Sequence, residues 1–201
     1  PADDLPGLHV ARPVHKPELR ANPKAQQALH AEWDRLKAIG TWDMEIPREW
    51  VEVQMEAKRR QDAGGQGIHI GRVFAIMVEK GSELPEGHVN RKWKGRVVFG
   101  GNNVADEFGQ AALFPEVGSG ASYGPASKLL DAVAMIEGNA GQQSDAPAAY
   151  TQSEMYEQDI EKNDTPTYVQ LPEWQGNAAM REAHAKTGRR PVCLLQRSLY
   201  G

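Results

Sequence analysis

Ile68-His69-Ile70-Gly71-Arg72-Val73-Phe74-Ala75-Ile76-Met77-Val78 decides the fold class of this chain. Ile68, Ile70, Val73, Phe74, Ile76 and Val78 are β-branched or aromatic for the most part, which suits a pleated strand. Turn chemistry brackets the run, with Gly64-Gly65-Gln66-Gly67 before it and Gly81 to Gly87 after it. Trp93 to Phe99 then reads as the returning strand of an antiparallel pair. Lys94 and Arg96 fall on one face of that strand, and Val97 and Phe99 on the other.

Upstream of this hairpin the period is helical. Asn22 is a good N-cap, Pro23 suits the first helical position, and Gly40 suits the stop. Leu29, Trp33 and Leu36 recur at i, i+4 and i+7, one face of a helix, and Glu32 and Asp34 can pair with Arg35 and Lys37 on its solvent side. Residues 48 to 63 read as a second, highly charged helix. Residues 1 to 23 carry Pro1, Pro6, Pro13, Pro17 and Pro23 without an apolar period, so an extended linker is expected.

Downstream, residues 100 to 124 are glycine-rich and irregular, the kind of long connection that is usually functional or mobile. A helix from Pro125 to about Glu137 should bury Ala126, Leu129, Leu130, Val133 and Ile136 and close at Gly138. A polar helix to about Asp159, a strand at Thr167 to Leu171, a charged helix around Ala178 to Lys186 and a strand near Val192 to Leu195 complete the chain. Helices and antiparallel pairs alternate without βαβ regularity, so the expected class is α+β, an antiparallel sheet with packed helices.

The bulk numbers are those of an ordinary globular chain. It has 201 residues, 25% charged and 40% hydrophobic, with a formal net charge of -4. An acidic total gives no basic footprint for nucleic acid, although a local basic stripe can survive inside it. The single cysteine, Cys193, allows no intrachain disulfide and fits an intracellular setting, cytoplasmic or nuclear rather than secreted. No apolar stretch approaches the roughly 20 residues of a membrane span. The scattered histidines give no zinc-ligand spacing. A start at Pro1 and an abrupt Tyr200-Gly201 end suggest a piece of a longer translation product.

Asp145 heads the candidates for chemistry. An acidic residue at a strand end can hold a metal ion rigidly, and Tyr150 follows five positions on; its plainer role would be to cap the helix beginning at Ala146. Gly118 to Gly124 resembles a dinucleotide-binding glycine loop, but its spacing is one residue too long and Pro115 spoils the strand leading in.

The order of segments resembles the reverse transcriptase region of copia-type long-terminal-repeat retrotransposon polyproteins. Ala28-Leu29-His30-Ala31-Glu32 and Thr41-Trp42 match the opening helix and tryptophan of that family. Trp93-Lys94-Gly95-Arg96-Val97-Val98-Phe99-Gly100-Gly101 matches the fingers strand Tyr-Lys-Ala-Arg-Leu-Val-Ala-Lys-Gly. Phe114-Pro115-Glu116-Val117 and the helix Ser127 to Ile136 match Phe-Ala-Pro-Val and the long apolar helix after it. Gln143-Ser144-Asp145-Ala146-Pro147-Ala148-Ala149-Tyr150 matches Gln-Met-Asp-Val-Lys-Thr-Ala-Phe. Tyr168-Val169-Gln170-Leu171-Pro172 matches Tyr-Met-x-Gln-Pro, and Val192 to Gly201 match Val-Cys-x-Leu-x-x-Ser-Leu-Tyr-Gly.

The resemblance covers roughly residues 25 to 201, and it implies the fingers and first part of the palm over residues 24 to 201. By resemblance, Asp145 is the first catalytic aspartate, with the Ala146 carbonyl as a helper ligand to Mg²⁺. Tyr150 takes the place of the aromatic gate under the incoming sugar. Arg96 and Lys94 take the place of the fingers residues that grip the triphosphate of a dNTP, and an Arg fork suits phosphate oxygens. The implied partners are an RNA template, a DNA primer and the remainder of the polyprotein.

The sequence also departs from the family. The hairpin with Tyr-x-Asp-Asp, which carries the other metal carboxylates, falls beyond Gly201, Gly100 replaces a second fingers lysine, and Gly141-Gln142-Gln143-Ser144 is polar for a palm strand. The expectation is therefore a fragment inactive alone. The alternative is a non-catalytic, decayed or domesticated nucleic-acid-binding or structural module.

Overall fold

The fold comes from a computed structural model and is described for residues 10–112, 124–142, 148–156, 160–161 and 164–200. In chain order the elements are β1 (Ala11–Pro13), α1 (Lys16–Ala21), α2 (Pro23–Ala38), α3 (Trp50–Asp62), β2 (His69–Lys80), β3 (Lys92–Phe99), α4 (Gly124–Ala134), α5 (Ala149–Gln152), β4 (Thr167–Gln170), α6 (Ala178–Thr187) and β5 (Cys193–Leu194). Short 3₁₀ turns lie at Gly101–Asn103 and Glu173–Gln175. The class is α+β. Two compact units divide the chain, residues 1–112 with 150–201, and residues 113–149.

In the larger unit β2 is the hub of the sheet. It pairs antiparallel with β3 from Val73↔Phe99 to Lys80↔Lys92, antiparallel with β1 at Val78 to Lys80, and parallel with β4 from His69↔Thr167 to Arg72↔Gln170. β5 then pairs antiparallel with β4. The sheet is thus mixed rather than purely antiparallel. The parallel pair joins segments far apart in the chain, and local hairpin signals carry no information about such a pairing.

α2 forms for the reasons its sequence gives. The Asn22 side chain accepts the Ala25 N–H at 3.1 Å, and Pro23 opens the first turn. Its buried stripe, Ala25, Leu29, Trp33 and Leu36, packs with Val73, Met77, Val97 and Val169 on one face of the sheet. Contact is close at β3, where a Cβ on Gly95 would lie 3.0 Å from the Leu29 Cα. Burying residues such as Leu36 contributes about 1.5–3 kcal/mol apiece. α3 covers the opposite face at the other end of β2, where Val53 and Ala57 meet Ile68, Ile70 and Tyr168. Neighbours along a strand point to opposite faces, so Ile70 and Val73 belong to different layers.

Several expectations need correction. The stretch expected to be an extended linker holds β1 and α1. Charge fixes it: buried Glu79 accepts from Arg12 Nε and Arg91 Nε, each at 2.7 Å, while Arg12 also pairs with Glu18. Of the polar helix expected to run to about Asp159, the described residues are helical only over α5. In the smaller unit α4 is a helix as expected, but its apolar stripe is not buried: Leu129 is 65% exposed and Leu130 70%, and Val133 and Ile136 are also exposed. A segment below about 40 residues seldom assembles a core of its own.

Candidate functional site

On β2 and β3 the side chains pointing away from α2 are Arg72, Phe74, Ile76, Val78 and Lys80, and Lys92, Lys94, Arg96 and Val98. This face carries five cations, Arg72, Lys80, Lys92, Lys94 and Arg96, and no carboxylate, within a chain of formal charge -4. Phe74 and Ile76 lie among them, exposed. A basic stripe with interleaved aromatic and aliphatic surface therefore sits inside an acidic whole. The inner face of the same strands is covered and apolar apart from buried Glu79, so the strands owe their position to α2 and keep their cations outside.

Tyr200 closes one end of this face. Phe99 donates its N–H to the Tyr200 carbonyl at 2.6 Å, and Val98 and Tyr200 form a parallel bridge along the edge of β3. The Arg96 guanidinium lies 5.7 Å from the centre of the Tyr200 ring, a cation–π geometry. The Tyr150 ring tilts against the other side of the cluster, its centroid 4.9 Å from that of Tyr200. Arg96 and Tyr150 are distant in sequence, and Tyr200 brings them together.

The placement of Tyr150 is determined by the strip that leads to Tyr200. Ser198 donates to the Ser153 carbonyl at 3.1 Å, Met155 donates to the Gln196 carbonyl at 2.9 Å, and Arg197 pairs with Glu154 at 3.0 Å. Arg197 Nε is itself anchored on the Ile39 carbonyl at 2.8 Å. Within α5 Thr151 is the buried residue, which leaves its neighbour Tyr150 turned outward and 59% exposed. Arg35, on α2, forms a two-pronged pair with Glu32 at 2.9 Å, which holds its guanidinium above the ordinary arginine range.

Of the residues singled out from sequence, Arg96 and Tyr150 converge on one aromatic cluster. Lys94 lies on the same sheet face and is exposed. Asp145 and Ala146 lie outside the described residues, as do Phe114 to Val117 and Gly118 to Tyr123 of the glycine loop. Among the described residues no cluster of His, Cys, Asp and Glu could hold a metal ion. Cys193 is buried at the back of the sheet, and burial pushes its thiol up to about 12, far from a reactive thiolate.

Sequence reasoning missed Tyr200 as a site residue and Arg72 altogether. Tyr200 had one signal, its place in the Ser198-Leu199-Tyr200-Gly201 motif. Arg72 had none, since it shares a face with Lys94 and Arg96 only once β2 and β3 have paired. No helix among the described residues is long and apolar enough to cross a membrane. No protein-family model, curated protein or solved structure matches the chain.

Proposed function

We propose that this chain is the fingers and first palm segment of a copia-type reverse transcriptase, an RNA-directed DNA polymerase, and that its described part contributes the nucleotide-facing wall. The observation that supports this reading most directly is the meeting of Arg96 and Tyr150 on Tyr200. The resemblance assigns Arg96 to the triphosphate and Tyr150 to the sugar of one bound nucleotide, so the two must lie close together.

The chemistry of the cluster suits those roles. Arg96 offers a planar fork of donors to phosphate oxygens, and Lys94 adds a second positive charge on the same face. The Tyr150 and Tyr200 rings, tilted at 59° to each other, present a weakly polar aromatic wall on which a deoxyribose can rest, and a 2′-hydroxyl would press against it. The RNA template, the DNA primer and the rest of the polyprotein are the partners this reading requires.

Catalytic Mg²⁺ would be held by Asp145 with the Ala146 carbonyl, and it would supply charge neutralisation at the transferring phosphate. Two-metal chemistry needs several converging carboxylates, and the residues named here supply one. On this reading the described residues of the chain bind and orient the nucleotide.

The test is titration of the ¹⁵N-labelled chain with a dNTP, alongside a primer-extension assay. Amide shifts at Arg96, Tyr150 and Tyr200 should move together, and Arg96→Ala should weaken the triphosphate about tenfold or more, the size of a charge-assisted hydrogen bond. The chain alone should extend no primer. Shifts that stay unmoved at millimolar dNTP would overturn the nucleotide-facing assignment, and robust Mg²⁺-dependent extension would overturn the incomplete-site argument.

A further inference from the structure

A cavity of about 190 Å³ lies against α6, between the chain that leaves β4 and the chain that leaves α6. Leu171, Pro172, Met180 and Pro191 supply apolar walls, and Arg181, His184 and Arg190 stand among them with one carboxylate, Glu173. His184 Nδ1 is buried and makes no hydrogen bond among the described residues. Leaving such an atom unpaired is unfavourable, and a ligand oxygen that reaches it removes the penalty. We propose that this cavity is a binding site for a small aromatic carboxylate, with its ring inside and its carboxylate toward Arg181 and Arg190.

The walls are held in place by the protein itself. Asn177 caps α6 by accepting the Met180 N–H at 2.9 Å, and its Nδ2 donates to the Met44 carbonyl at 2.7 Å. In the Glu173–Gln175 turn, Gln175 donates to the Pro172 carbonyl at 2.9 Å and Gly176 to the Glu173 carbonyl at 3.1 Å. Arg181 Nη1 ties the helix to that turn through the Gly176 carbonyl at 2.8 Å. At the far end Gly188 turns left-handed with φ 67° and donates to the His184 carbonyl at 2.8 Å, just before Arg190 and Pro191. Val192 then exchanges both backbone hydrogen bonds with Arg48 at 2.9 Å. A preformed site suits a small ligand, whose few contacts could not offset much ordering.

Size selects the ring. A dry apolar cavity of about 150 Å³ accepts benzene, so this one takes a single six-membered ring and not a base with its sugar and phosphates. Met180 is 6% exposed, its Sδ lies 3.9 Å from Cys193 Sγ, and its thioether can adapt to a ring edge. Charge selects the carboxylate. Arg190 meets Glu173 only at 3.8 Å, and Arg181 keeps donors beyond the one on Gly176, so the mouth stays positive. Both arginines are exposed, where a charge adds little, so the ring supplies most of the affinity and the carboxylate supplies the preference. The cavity shares no residue with the Arg96–Tyr200–Tyr150 cluster, so it stands whether or not a nucleotide binds there.

The experiment adds sodium benzoate to the methyl-¹³C-methionine, ¹⁵N-labelled 201-residue chain at constant ionic strength and follows its NMR signals. The Met180 methyl should shift saturably, with a Kd of about 1 mM for a ligand of this size. The amides of Arg96 and Tyr200 should stay still. Benzamide, the uncharged isostere, should bind about fivefold more weakly, and acetate, which lacks the ring, should leave Met180 unmoved. In the Arg181→Gln/Arg190→Gln variant benzoate should fall to the affinity of benzamide. Benzamide itself should keep its wild-type affinity there, which reports an intact cavity.

A Met180 methyl unmoved by benzoate at about 10 mM would overturn the site. Equal binding of benzoate and benzamide, in wild type and variant alike, would overturn the carboxylate in favour of a neutral ring. Shifts from acetate or inorganic phosphate as large as those from benzoate would overturn the ring. Titration of Arg96 and Tyr150 with a dNTP reads separately from all of these, so failure of the cavity and failure of the nucleotide site are distinguishable.

Discussion

α2 and α4 each carry an apolar stripe at helical spacing, yet α2 buries Leu29, Trp33 and Leu36 while α4 leaves Leu129, Leu130 and Val133 exposed, as is Ile136 just past its end. Periodicity reports which side of a helix is apolar. It does not report whether a matching surface is present. α2 has one, because β3 presents Gly95 and Val97 toward it and lets the helix backbone come close. The unit that contains α4 supplies too little chain to make another.

The contrast can be broken most severely at Trp33. Its side chain is fully buried and stacks edge-on against Trp42 and Trp174, at 5.6 and 5.5 Å. Trp33→Ala should cost about 3–5 kcal/mol in urea unfolding, because a large cavity opens where α2 meets the sheet. A loss below about 1 kcal/mol would mean that α2 is not held by this packing.

A second, smaller effect tests charge rather than apolar cover. The buried Glu79 carboxyl is held below the ordinary range by the hydrogen bonds from Arg91 and Arg12, against the opposing effect of burial. Its folded pKa lies below its unfolded one, so its stabilisation is present above the unfolded value and disappears as pH falls through the folded value. Glu79→Gln should lower stability by about 1–3 kcal/mol at neutral pH and flatten the acid limb of a stability–pH curve. An unchanged acid limb would show that β1 is fixed by something other than this pair of arginines.

The smallest effect belongs to α4. Leu129→Ser or Leu130→Ser should change unfolding stability by no more than about 0.5 kcal/mol, the usual range for exposed positions. A loss several times larger would show that the stripe is covered in solution and would erase the contrast with α2.

The legible parts of the fold were those written in neighbouring residues. Asn22 and Pro23 announce α2, Gly40 stops it, and the β-branched run with its glycine turn announces β2 and β3. β1 was missed because three residues with a proline give no period, and its anchor, Glu79, is far along the chain. The parallel pairing of β2 with β4 was missed for the same reason. The site divides similarly. Arg96, Lys94 and Tyr150 could be singled out through motif order, but Tyr200 gains its role only from the backbone bond to Phe99, and Arg72 joins Lys94 and Arg96 on one face only after β2 and β3 have paired.

That parallel pairing also bears on how quickly the native state is reached. β2 can zip with β3 as soon as the intervening turn closes, a microsecond event for a hairpin. Its bond to β4 must wait for the long intervening loop, residues 73–166, to close, and the entropy of that closure precedes any reward. The hairpin is therefore expected to form early, and the pairing with β4, like the still longer closures Arg48–Val192 and Ile39–Arg197, after it.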